Sequence, residues 1–427
     1  MQTAIFAIAT SILAMLGLVA ATPLTLPLKL KEPASHARLP RHQAGAASSS
    51  HNISLKDYFN RTDNQWYSDI SVGTPPQTLS VLWDTGSPYL LLPQSNCTSC
   101  GTHRLFNPAN SSSFRAWPDT PINPLFATGA DSIPFTQPEG ATCHVNTETV
   151  AIGDLSVRDQ QLLLCDAYAS VLDNQPIDGI IGLGVPNDND SEVRSWFWNL
   201  FESGQLPSAV FSFYTPAGNL DGAELTLGGM DQSKYKGDLA WTILSQGQPG
   251  APEGWVVDHQ AMVITSESTD EDGTTTKPPI RLHHDAAPGD VGTLGWAVLD
   301  TGTAFIQTPN NATAAGLYAQ ISPDITQIDP AGAWGAPCDS LNAMAPHITF
   351  TLGSGAWTAN VTMPKSAFNL GEYPGKPGIC QAVFNSGVPS FADDPTPIWI
   401  LGSPLLKAYY TVWDGTNSKV GWGELAG

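Results

Sequence analysis

The triplet Asp-Thr-Gly occurs twice, at Asp84-Thr85-Gly86 and Asp300-Thr301-Gly302. Each copy closes an apolar run and is followed by a hydroxyl residue, Ser87 or Thr303. Chance supplies about 0.1 such triplets in a chain of this length. Val81-Leu82-Trp83 leads into the first copy and Ala297-Val298-Leu299 into the second. Both carboxylates therefore stand where a buried strand breaks into a Gly turn. Two carboxylates presented alike, half a chain apart, imply two related lobes with a water between them.

The repeat extends past the triplets. Gly182, in Ile180-Ile181-Gly182, follows Asp84 by 98 positions; Gly402, in Ile400-Leu401-Gly402, follows Asp300 by 102. An Asp turn followed twice, at nearly equal distance, by an apolar-apolar-Gly segment is the mark of internal duplication. Each such segment is expected to run beside its own Asp loop, Gly permitting close backbone approach. Further stretches carry a recognisable pattern. They are Tyr67 with Ile70-Ser71-Val72-Gly73-Thr74-Pro75-Pro76-Gln77, Asp178-Gly179-Ile180-Ile181-Gly182-Leu183-Gly184 and Leu227-Gly228-Gly229-Met230-Asp231 with Tyr235 and Gly237. Ile400-Leu401-Gly402-Ser403-Pro404-Leu405 and Tyr409-Tyr410-Thr411-Val412-Trp413-Asp414 complete the set. Together they resemble the pepsin-like aspartic proteases from about residue 60 onward.

That resemblance implies an all-β, bilobal fold with the cleft between an N-terminal lobe over residues 52–235 and a C-terminal lobe over 236–427. It implies that Asp84 and Asp300 share one proton and activate a water against a peptide carbonyl, with no cofactor, no metal and no covalent intermediate. Thr85 and Thr301 are then expected to bond across the lobe junction. Gly86 and Gly302 would bring backbone amides to the carboxylates, and Ser87 and Thr303 would offer hydroxyls to the outer oxygens. Two Asp-Gly turns that merely end strands are the bland alternative, and it leaves the matching apolar-Gly partners unexplained. The resemblance also implies a small disulfide loop at Cys97 and Cys100 and a bridge between Cys338 and Cys380, leaving Cys143 for Cys165. Read alone, Cys97-x-x-Cys100 also fits half a zinc or redox site, but no second Cys-x-x-Cys pair accompanies it.

The chain departs from the family in two linked places. The Trp that usually follows the first motif falls on Leu91. The flap, expected around Phe135 to Cys143, has no Tyr to bond that Trp, Phe135 being the nearest aromatic. A reworked flap and neighbouring pocket are expected. Ala304 also replaces a hydroxyl residue common after the second motif. His283-His284-Asp285, in the polar insertion Thr265 to Leu294, reads as an exposed loop, since a metal site would need further ligands.

With 39 Gly, 35 Pro and many short Val, Ile, Thr and Phe runs among its 427 residues, the chain reads as all-β; Ala312 to Ile321 and Glu192 to Glu202 are the better helix candidates. Residues 1–21 read as a signal peptide: an apolar stretch Ile5 to Ala20 ends in small residues, too short for a membrane span. Residues 22–51 read as a prosegment with Lys29, Lys31, Arg38 and Arg41 against Glu32, a plain linker being the alternative. Taking residues 1–50 away from the 18 basic and 39 acidic residues leaves 14 and 38, a net charge of −24. That charge excludes nucleic acid and anionic membrane as partners. Six cysteines agree with secretion, as do sequons at Asn52, Asn60, Asn96, Asn110, Asn189, Asn311 and Asn360. The expectation is a secreted, unanchored, monomeric zymogen acting on polypeptides in acid. The rivals are a pepsin-like binding protein of weak or no activity and a carbohydrate-binding β protein suggested only by the Trp content. Retention of both Asp motifs favours the enzyme.

Overall fold

A computed structural model describes residues 49–60, 62–126, 133–134, 139–168, 177–185, 193–218, 221–248, 251–268, 275–276, 278–283, 294–387 and 396–426. The signal peptide, nearly all of the prosegment, Phe135, Asn189, His284 and Asp285 lie outside the described residues.

The chain is all-β. A 13-stranded sheet holds the first half, and an 8-stranded sheet holds most of the second. The strand Gln77–Asp84 is buried from Leu79 onward, because it has a neighbour on each edge and a packed layer on each face. Alternation decides which layer each side chain joins. Val81 and Trp83 enter the larger core, and Leu82 enters a smaller one with Leu91, Cys143, Leu163, Cys165, Tyr168 and Ile177. The Trp83 indole N–H finds the Ser68 hydroxyl at 2.9 Å, so a bulky aromatic is buried without an unpaired donor.

The topology at the Asp strands is the same twice. Gly179–Gly182 runs parallel to Gln77–Asp84, with Gly182 opposite Asp84. Ile398–Leu401 runs parallel to Trp296–Leu299, with Leu401 opposite Leu299. Parallel strands covered on both faces need continuous apolar runs. Gly179–Gly182 is buried throughout, while in Ile398–Leu401 Trp399 and Leu401 are buried and Ile398 and Ile400 half-buried.

The two halves share one seam. Tyr410–Asp414 and Lys419–Leu425 lie in the 13-stranded sheet, between Val210–Tyr214 on one side and Tyr235–Ile243 on the other. Phe211, Trp255 and Trp413 pack as an aromatic nest there, with ring centroids 5.2 to 5.8 Å apart. Among the described residues, helix is confined to short pieces. Asn311–Ile321 is capped by the Asn310 side chain, which accepts from the Thr313 amide at 2.9 Å. Trp196–Glu202 buries Trp196, Phe197, Trp198 and Leu200. Trp196–Glu202 falls within the stretch expected to be helical, and Asn311–Ile321 starts one residue before its expected stretch. The six cysteines form Cys97–Cys100, Cys143–Cys165 and Cys338–Cys380, so Cys97 and Cys100 are bonded to each other rather than open to a metal.

Candidate active site

Each Asp turn is held by the segment that follows it about a hundred residues later. The Leu183 amide donates to the Asp84 carbonyl at 2.6 Å, and the Asp300 amide donates to the Leu401 carbonyl at 3.1 Å. The glycines are required by contact distance. A Cβ on Gly182 would lie 2.4 Å from the Ser87 carbonyl oxygen, and one on Gly402 would lie 2.2 Å from that of Thr303. No side chain fits in either place.

The two turns then face each other. A Cβ on Gly302 would stand 2.6 Å from Asp84 Oδ1, and one on Gly86 would stand 2.6 Å from Asp300 Cγ. Each carboxyl therefore lies against the other's glycine, and only Gly leaves the space. Within each turn the glycine amide donates to one carboxyl oxygen, Gly86 to Asp84 Oδ1 at 2.7 Å and Gly302 to Asp300 Oδ1 at 2.8 Å. The following hydroxyl donates to the other, Ser87 to Asp84 Oδ2 at 2.5 Å and Thr303 to Asp300 Oδ2 at 2.6 Å. Four donors thus fix the planes of two carboxyls that are each 8% exposed. Behind them Thr85 and Thr301, both buried, bond across the junction.

Electrostatics follow from that closeness. Burial pushes the Asp84 carboxyl well above the usual carboxylate range. The Asp300 carboxyl, beside it and hydrogen-bonded to it, raises it further, against the opposing bonds from Ser87 and Gly86. Two like groups out of water cannot both ionise cheaply, so the pair retains a proton into a pH range where a lone Asp has lost it.

Other sequence-predicted positions are placed as follows. Leu91 is buried in the smaller core beside Leu163 and the Cys143–Cys165 bridge. Aliphatic packing and a disulfide thus occupy the region where the family Trp was expected. Asn52, Asn96, Asn110, Asn311 and Asn360 are exposed, and Asn60 lies in the strand His51–Asn60. His283 is exposed at the end of Ile280–His283. Among the described residues, no group of three or more His, Cys, Asp or Glu is arranged to hold a metal ion.

Sequence reasoning missed two supports. Asp178 enters the sequence reading only as the first residue of the stretch ending at Gly184, with no role assigned. It is buried and accepts from the Ser80 amide at 2.7 Å, the Arg104 amide at 2.9 Å and Arg104 Nε at 2.8 Å. It thereby anchors the strand Gly179–Gly182 that flanks Asp84. Asn64 and Gln65 reach from the opening hairpin to the Asp300 turn. In both cases the partners are far apart in sequence, and neither pair forms a motif.

The sequence profile described as eukaryotic aspartyl protease matches residues 65–425. Pepsin A-5 of Mus musculus is 31% identical over 360 residues, covering 82% of this chain and 79% of the relative. Pepsin A of Sus scrofa is 30% identical over 372 residues, covering 86% and 83%. Pregnancy-associated glycoprotein 2 of Bos taurus is 29% identical over 382 residues, covering 86% and 84%. The chain belongs to the eukaryotic aspartyl protease family. It is an aspartic-type endopeptidase, a hydrolase of pepsin-like fold.

Proposed function

We propose that Asp84 and Asp300 are the catalytic pair of a secreted endopeptidase that hydrolyses peptide bonds in acid. One observation carries this reading: two buried carboxyls face one another across glycines that leave no room for a Cβ. In the reaction the pair holds one proton. Its ionised oxygen takes a proton from a water, whose oxygen bonds to the scissile carbonyl carbon. The proton already held is donated to the carbonyl oxygen as negative charge develops there. The resulting diol collapses as the amide nitrogen receives a proton and the C–N bond breaks, leaving a carboxylic acid and an amine. The Gly86 and Gly302 amides, with the Ser87 and Thr303 hydroxyls, keep both carboxyls oriented through each turnover.

The remaining assignments belong to the same reading. Residues 1–21 export the chain, and residues 22–51 form a basic prosegment whose attraction to the acidic remainder of the chain weakens in acid. Residues 52–235 and 236–427 form the two catalytic lobes. The mature enzyme acts as a monomer on polypeptides, and exposed sequons are its glycosylation sites. A binding protein without activity has no use for two desolvated carboxyls at a cost in stability.

The test is cleavage of a denatured protein in acid, blocked by a statine-type transition-state mimic. Asp84→Asn and Asp300→Asn should each lower kcat at least about a thousandfold, with the double variant no worse, because the pair acts as a unit. Substantial activity in either single variant contradicts the assignment.

A further inference from the structure

Two residues outside both Asp motifs hold the second turn from the opposite half of the chain. The opening hairpin, His51–Asn60 with Thr62–Val72, carries Asn64 and Gln65, each 2% exposed. Asn64 Nδ2 donates to the Ala304 carbonyl at 3.2 Å, and Gln65 Nε2 donates to the Gly302 carbonyl at 3.2 Å. The Gln65 amide N–H is itself pinned by Asp57 Oδ1 at 3.1 Å. These bonds span 240 and 237 positions and close on the loop that carries Asp300.

Asn64 also leaves its Oδ1 buried without a hydrogen-bond partner. An apolar residue of similar size would avoid that cost. Retaining the amide makes sense where its N–H is needed. The Thr85–Thr301 exchange fixes the turn at its base, but Gly302 and Ala304 lie beyond that base. Gly302 supplies the amide that orients Asp300 Oδ1, and Thr303 the hydroxyl that orients Asp300 Oδ2. The Gln65 and Asn64 bonds hold the carbonyls of Gly302 and Ala304, on either side of Thr303, and so restrain the segment carrying both donors.

We infer that Asn64 and Gln65 are positioning residues for Asp300, holding the Gly302–Ala304 backbone so that the carboxyl meets Asp84 in register. The inference rests on the dyad reading above. It assigns to the first lobe a part in aiming the second lobe's carboxyl.

The experiment measures kcat and KM of the acid-activated full chain across pH, with a melting temperature for each variant. Gln65→Leu removes the donor and should lower kcat about fivefold while KM stays within about twofold, the size expected for losing one neutral hydrogen bond. Gln65→Glu is nearly isosteric and can donate to the Gly302 carbonyl only while protonated. It should recover kcat relative to Gln65→Leu in acid and lose it again as its carboxyl ionises, adding a limb that the wild type lacks. The ionisable groups facing that position are Asp57 of the hairpin and Asp84 and Asp300 of the turns. Lys407 caps Ser403–Leu406, a helix packed on the hairpin strand. Burial and the three acids should place the new limb above the ordinary Glu value of about 4.3.

A role in folding alone would lower the melting temperature without adding that limb. A Gln65→Glu profile superimposable on wild type overturns the inference, as does a change confined to KM. If Gln65→Leu is not secreted, the Glu profile decides by itself. Asp300→Asn keeps the two readings apart: activity there removes the dyad, whereas an inactive Asp300→Asn with an unchanged Gln65→Glu profile removes only the positioning role.

Discussion

Thr85 and Thr301 bond to each other twice, each backbone N–H donating to the other's side-chain oxygen at 3.0 Å. Each hydroxyl then donates to the carbonyl preceding the other's Asp, Thr85 to Leu299 at 2.9 Å and Thr301 to Trp83 at 2.8 Å. All four groups are satisfied only when the two turns meet. The distance between the Asp84 and Asp300 carboxyls is thereby set by neutral groups that do not titrate.

Thr85→Val keeps the shape and removes the hydroxyl. The Leu299 carbonyl and the Thr301 amide then lose their partners, at a cost of about 1–3 kcal/mol. Denaturant melts should show that loss, kcat should fall with it, and Thr85→Ser should restore most of both. An unchanged melt would mean that the exchange contributes nothing to holding the turns together.

Gly302→Ala tests spacing rather than bonding. Its Cβ would meet Asp84 Oδ1 at 2.6 Å and Cγ at 2.9 Å, so the carboxyls must part. A displacement approaching 1 Å is worth about a hundredfold in rate. Peptidase assays should show that loss in a protein that still folds and is exported.

Much of this was legible in the chain, and the reasons differ from part to part. The dyad and its glycines were readable because contact distances below 3 Å admit only Gly, so the requirement is written as a residue type. That each apolar-Gly segment lies beside its Asp turn was readable from the repeated spacing and the glycine, whereas the parallel direction of the pairing was not. Asp178 was not readable in its role, because its partner Arg104 lies 74 positions away and an Asp-Gly pair looks like any turn. Nor could residue order show that Tyr410–Asp414 pairs with Val210–Tyr214. Both strands are buried and apolar, and register between such strands is decided in three dimensions.

Stability should fall as pH rises from mild acid toward neutrality. The Asp84 carboxyl has a raised pKa in the folded chain, through burial and then Asp300. Its stabilising contribution is complete below the unfolded value of about 3.9 and is lost as pH climbs through the folded one. Asp69 and Asp231 act oppositely. Burial alone would raise Asp69, but bonds from Ser80 and Arg104 outweigh it and hold it low; the Ser233 side chain and amide hold Asp231 low. Their contributions vanish in strong acid. With 38 acids to 14 bases beyond residue 50, self-repulsion above neutrality adds to the Asp84 effect. Melting temperatures should peak in mild acid, and a maximum above pH 7 would refute the charge argument.

The leader should be cut before the first strand. His51 and Asn52 already pair with Leu227 and Thr226, so removing them would shorten an interior strand of the 13-stranded sheet. A precursor latent near neutrality is expected to shorten in acid between Arg38 and His51, and N-terminal sequencing before and after acidification reads this directly. Full activity in an unshortened chain would contradict it.

The seam formed by Tyr410–Asp414 and Lys419–Leu425 also bears on time. Ser212 and Tyr410 bond at 2.7 Å across 198 positions, and the Asp231 amide reaches the same phenol at 2.7 Å across 179. Closing loops of that length must precede any reward from the contacts they bring, so the native state lies behind a high entropic barrier. Opening is limited by something else, the buried rings and hydrogen bonds of the seam that must part first. A peptidase among other peptidases is attacked through its open states, and a slow escape rate then protects it more than a deep energy minimum would. Long-range closure of the seam is expected to slow assembly, and its buried contacts, by a separate route, to slow digestion.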